Sequence, residues 1–249
     1  MKINLPGAFA DAWSAFRGNS EVLIALAGLF LFVPTLALLL LVPAAPPWPD
    51  STAGDPQVRA DAALFANWLV DNSRWFLVAS LASLFGSLAI CAFLLDRQSA
   101  DLRAALQGAV RLLPRYMAAA LLILLPASLG VFVFILPGLY ILGRTMLVAP
   151  ALVSERGLTA TAAIMRSITL TRRNGLVLAG LTGLGLLVGQ VLPAPFQSID
   201  IAMRAAGAAN PVMITIVDCG AAALASAVAL ATILMRIAIY RQLASSNGT

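Results

Sequence analysis

"VLIALAGLFLFVPTLALLLLV", residues 22–42, runs for 21 positions without one charged side chain. The hydrocarbon core of a bilayer is about 30 Å thick, and a crossing helix takes roughly 20 apolar residues. This stretch therefore predicts a membrane span. Five further stretches follow it, at 75–95, 117–136, 138–153, 175–192 and 212–235. The 138–153 stretch is the shortest, and it is interrupted by Arg144. Composition agrees: 61% of the 249 residues are hydrophobic and 11% are charged, where a soluble domain carries about 25% charged residues. The expected architecture is all-α, a single six-span membrane domain over residues 1–249.

Charge sets the orientation. Lys2, Arg17, Arg97, Arg103, Arg111, Arg115, Arg156, Arg166, Arg172, Arg173, Arg236 and Arg241 fall on one side of the spans. Only Arg59, Arg74 and Arg204 fall on the other. Basic residues accumulate in cytoplasmic loops, so both termini are expected in the cytoplasm and the 43–74 loop outside. An Arg-dominated basic set beside abundant Ala and Leu suggests a bacterial inner membrane. The net charge of +5 does not point to nucleic acid, because the arginines lie between apolar runs and form no basic face.

Several chemistries are excluded. The chain has no histidine, which removes Ser-His-Asp and Cys-His nucleophile systems and His-ligated metals. Cys91 and Cys219 lie inside apolar runs and make no disulfide framework or zinc site. No enzyme and no cofactor is expected. "GLTGLGLLVG", residues 180–189, imitates a nucleotide loop, but position 188 is Val and no strand precedes it. Gly185 and Gly189 instead form a G-x-x-x-G suited to close helix packing, on span six or on a second copy of the chain. Pro34, Pro126 and Pro150 fall within spans, where each frees a carbonyl and favours a kink.

An amphipathic stretch precedes each odd-numbered span. Phe9, Trp13 and Phe16 share one helical face; Leu102, Ala105, Leu106, Ala109, Val110 and Leu113 share another; Thr161, Ile164, Met165 and Ile168 share a third. Three repeats of interfacial helix plus hairpin would generate this pattern. A further short helix over 60–71 is expected to lie on the outer surface.

The stretch "LPGLYILGRTMLVAPALVSERGLTATAAIMRSITLTRRNG", residues 136–175, resembles the membrane domain of bacterial glycerophosphoryl diester phosphodiesterases and related six-span proteins of unknown function. The likeness rests on the Pro-Gly-Leu-Tyr opening, Arg144, Ala149-Pro150-Ala151, Glu155 and Arg166-Ser167. It implies a membrane module. The phosphodiesterase activity is not carried over, since this chain offers no His and no carboxylate cluster for a divalent metal.

A cation inside a span needs a partner or water. Arg144 lies six residues beyond Gly138, and Asp218 six beyond Val212, in spans that both run inward. An Arg144–Asp218 ion pair is expected, serving either to order the bundle or to line a polar cavity. Glu155 is expected to pair with Arg156 or Arg166 and to anchor the following helix, in which Ser167 bonds locally. Two functions remain open: a non-enzymatic module that organises membrane lipids or serves as an accessory subunit of a membrane complex, and a small transporter with its site at Arg144 and Asp218.

Overall fold

A computed structural model describes residues 3–46, 54–95, 101–155, 157–205 and 210–245. Lys2, Arg97 and Arg156 lie outside the described residues, as does much of the Pro-rich part of the first loop. The described chain is helical throughout: α1 (Leu5–Gly18), α2 (Ser20–Ala27), α3 (Val33–Leu41), α4 (Asp55–Leu95), α5 (Leu102–Val133), α6 (Ile135–Thr145), α7 (Val148–Ser154), α8 (Ala160–Leu170), α9 (Gly175–Val191), α10 (Ala194–Ala205) and α11 (Pro211–Ser245). Six segments are long and apolar enough to cross a membrane.

Local chemistry explains the joints. Asn4 caps α1 by accepting from Gly7 N at 3.1 Å, and Thr159 caps α8 by accepting from Ala162 N at 3.3 Å. Gly157 has φ +85°, a left-handed backbone suited to glycine, and it turns the chain from α7 into α8. The first span, Ser20–Leu41, is divided by a π turn at Gly28–Phe32. Pro34 follows it within the first turn of α3, and the Thr35 hydroxyl donates to Leu31 O at 2.7 Å.

The fourth span breaks at Met146 and Leu147, between α6 and α7. Pro150 is therefore a first-turn residue of α7, where a helix N–H has no intrahelical acceptor and its loss is harmless. It marks the restart of a helix and does not kink one. Pro126 sits inside the continuous α5.

The predicted interfacial helices meet three different fates. α1 stands apart, the second stretch is fused into the 32-residue α5, and α8 is inserted into the bundle. The 60–71 helix is likewise no separate surface element. It is the first part of α4, whose 41 residues extend to about 60 Å, twice the bilayer core. α8 buries Ala163, Ser167, Leu170 and, just past its end, Thr171, while Met165 faces out, so its buried stripe is offset from the one the sequence pattern indicated.

α11 is the central element and packs against α1, α2, α3, α4, α7, α9 and α10. Both described termini sit at one end of the molecule: Ile3 N donates to Asn174 Oδ1, and Gln242 Nε2 donates to Asn4 O. That end is called the terminal end below, and the opposite one the far end. The tight crossings use small residues. A Cβ on Gly143 would lie 2.5 Å from Ala179 N, which marks the α6–α9 contact. Gly130 meets Gly138 between α5 and α6, and Gly86 meets Phe30 between α4 and the π turn. Gly185 and Gly189 are not among them: a Cβ there would sit 3.6 Å from Thr232 Oγ1 and 3.7 Å from Val228 Cγ1. The G-x-x-x-G faces α11 at ordinary contact distance.

Gly143→Leu is therefore expected to destabilise the protein by about 1–3 kcal/mol, as overpacking does, while Gly185→Ala is expected to be close to neutral. Thermal unfolding in detergent compares the two; equal losses would contradict the packing described.

Candidate functional site

Arg144 occupies the last turn of α6, next to the break. Its Nη1 donates to Tyr140 Oη at 2.8 Å, one helical turn back, and its Nη2 donates to Ile168 O at 2.7 Å, at the end of α8. The break itself is closed by Ser167, which is fully buried. Its hydroxyl donates to Arg144 O at 2.7 Å and accepts from Leu147 N at 3.2 Å, and Thr171 Oγ1 also reaches Arg144 O at 3.2 Å. Ser167 therefore bonds across to a distant helix rather than locally. It supplies the donor and acceptor that an unbroken α6–α7 would have supplied to itself.

The expected Arg144–Asp218 pair is not formed. Asp218 is buried and pairs with Arg204 Nη2 at 3.2 Å, while Arg204 Nε also holds Asp200 at 2.7 Å. Both charges occupy positions the counting had aligned, but the elements beside them differ. Arg144 packs on Gly175, the first residue of α9 at the terminal end. α10 folds against α11 through Phe196 on Gly220 and so keeps Asp218 at the far end. Gly185 lies opposite Thr232, which places Arg144 and Asp218 roughly 35 Å apart along the bundle, at 1.5 Å per residue.

Glu155 does meet Arg166, at 2.7 Å, and it also accepts from Tyr240 Oη at 3.2 Å. One carboxylate thus ties α8 to α11. The anchoring role expected for Glu155 matches this geometry; Arg156, the other expected partner, lies outside the described residues.

The remaining feature is a crevice of about 960 Å³ between α1, the first span, α9 and α11. Phe9, Trp13 and Phe16 of α1 line one side, Leu181, Gly185 and Val188 of α9 another, and Ala223, Ala227 and Ala231 of α11 a third. Phe9, Trp13, Ile24 and Leu184 are exposed, so the crevice is open along its flank. Its few hydroxyls are spent internally: Ser226 donates to Ala222 O and Thr232 to Val228 O. No Asp or Glu lines it. Arg236 lines the terminal end, and its Nε is buried without a hydrogen-bond partner among the described residues.

The sequence reading missed this crevice, counting Arg236 only as a tail cation. A signal was present in the alanines at 223, 227 and 231, spaced four apart on one face of the longest span. Small side chains there leave a groove beside α9 where larger ones would fill it.

Among the described residues, no group of three or more His, Cys, Asp or Glu is placed to hold a metal. The fold and its six apolar helices define an all-α polytopic membrane protein. Comparison with known proteins found no matching family model, no matching curated protein and no matching solved structure.

Two outcomes follow for the polar joints. Ser167→Ala leaves Leu147 N without its acceptor and Arg144 O with Thr171 alone, and is expected to cost about 1–3 kcal/mol, read as a lower melting temperature in detergent. In double-mutant cycles, Arg204→Gln with Asp218→Asn should show coupling, whereas Arg144→Gln with Asp218→Asn should add within about 0.5 kcal/mol.

Proposed function

We propose that this chain is a non-enzymatic membrane module that holds a lipid tail in the crevice between α9 and α11. The observation that carries the reading is the crevice itself. Its volume of about 960 Å³ falls within the range of about 300–1,000 Å³ typical of ligand sites. Its walls are apolar, and it opens along the face that bilayer would cover. Apart from Arg236 at the terminal end, an aqueous solute would find no free polar group along those walls. A hydrocarbon chain would find matching surface, including the aromatic face of α1.

In this reading the protein lies in a bacterial inner membrane with both termini cytoplasmic, as the bias of its basic residues favours. It organises lipid for itself or for a membrane complex to which it is accessory. The resemblance to phosphodiesterase membrane domains fits such a role, since the residues that carry it, Arg144, Pro150, Glu155 and Ser167, all serve structural joints. A transport site shared by Arg144 and Asp218 receives no support from their positions at opposite ends of the bundle.

Native mass spectrometry of protein released from native membranes is expected to show bound lipid. Ala227→Trp, which fills the crevice, should remove that lipid with little change in melting temperature. Wild-type protein that emerges as a lipid-free monomer would overturn the reading. Membrane-impermeant labelling of a cysteine placed at Ser245 is expected to fail from the periplasmic side.

A further inference from the structure

The crevice is apolar along its length and cationic at one end. Arg236 lies in a span-forming helix, donates no hydrogen bond among the described residues, and has its Nε buried. No carboxylate is within ion-pair distance of it among those residues, where the three salt bridges belong to Arg166 and Arg204. Its charge reaches Cys91 and Tyr116 on α4 and α5, a thiol and a phenol that supply no counter-charge. An intramembrane arginine is expensive unless paired, and one without a partner marks a site whose partner comes from elsewhere. Arg144 shares the buried, unpartnered Nε but differs in the rest: its two terminal nitrogens are bonded and it stacks on Tyr140.

A second cation stands at the rim. The Arg17 guanidinium lies 5.1 Å from the centroid of the Trp13 ring, and Trp13 lines the crevice. The stacking holds Arg17 on α1 beside the opening. We infer that the terminal end of the crevice binds the phosphate of an anionic lipid headgroup between Arg236 and Arg17. This deepens the lipid reading above and rests on it.

Charge and length both support that occupant. Guanidinium forks match phosphate oxygens in geometry and charge. No Asp or Glu lines the crevice, so a quaternary ammonium headgroup would bring a positive charge with no anion to meet it. From Arg236 to Ala223 the crevice follows α11 for thirteen residues, or about 20 Å. One leaflet of a 30 Å core is about 15 Å deep. A lipid with its phosphate at Arg236 thus fits its tail along the alanine groove.

The full chain, reconstituted in bilayers of equal phosphatidylglycerol and phosphatidylcholine with identical acyl chains, tests this by native mass spectrometry of the bound lipid. Phosphatidylglycerol is expected to be enriched about tenfold, the equivalent of one charge-assisted hydrogen bond. Arg236→Gln and Arg17→Gln should each lower the enrichment, and Arg236→Lys should retain part of it. Should Arg236→Gln not fold, the exposed Arg17→Gln and the conservative Arg236→Lys carry the test. Equal retention of both lipids would overturn the headgroup assignment and leave the tail-holding reading intact. No bound lipid, or a dimer that excludes lipid, would overturn both. Inorganic phosphate alone should not raise the melting temperature; if it does so as strongly as phosphatidylglycerol, the site belongs to a free anion and the lipid assignment falls.

Discussion

A helix interrupted within hydrocarbon exposes backbone groups that no water can reach, and those groups must find protein partners. The Ser167 hydroxyl meets that requirement at the α6–α7 break, taking the Leu147 N–H and giving its own proton to the Arg144 carbonyl. Much else depends on this junction. To deliver Ser167, α8 must pack against α5, α6 and α7. To follow α8, α9 must begin beside Arg144. The route of α9 along α6, fixed at Gly143 and Ala179, then decides how far it stands from α11. The crevice is the space that results.

The charged residues divide by environment. Glu155 and Arg166 are each about one-third exposed, at 31% and 35% of their side-chain surface. Such a pair is screened and contributes modestly. Its value lies in position, since the same carboxylate also receives Tyr240 and ties the inserted helix to the central one. Arg204 works differently. It faces two carboxylates, one of them almost wholly buried, and holds a short far-end helix against α11. Arg144 meets no acid among the described residues: a phenol and a backbone carbonyl take its two terminal nitrogens, and its Nε is buried without a partner.

How much of this could be read from residues alone follows from the kind of signal involved. The six spans were legible because uninterrupted apolar runs of that length have few other solutions. The Glu155–Arg166 contact was legible as one of two choices, because Glu155 ends α7 and Arg166 lies in the second turn of α8, which the chain enters through the turn at Gly157. The Arg144 partners were half legible: Tyr140 stands four residues earlier on the same helix, but the Ile168 carbonyl is a backbone group that no side chain announces. Counting positions from the span ends kept Asp218 at the far end, where it lies, but failed for Arg144, because depth by counting assumes helices that start in a common plane. α6, only 11 residues long, ends beside Gly175 at the terminal end and violates that assumption. The crevice was least legible of all, since it is encoded by what the alanines of α11 lack.

The length of α4 has a mechanical consequence. Its 41 residues make a helix about twice as long as a hydrocarbon core of about 30 Å requires. Its base is gripped by the core through Leu88, Ala89, Ile90 and Cys91. It is held a second time where Trp68 Nε1 donates to Pro43 O at 3.0 Å, just past the end of the first span. The thirteen residues before Trp68, about 20 Å of helix, are the part of α4 that extends past the end of the first span.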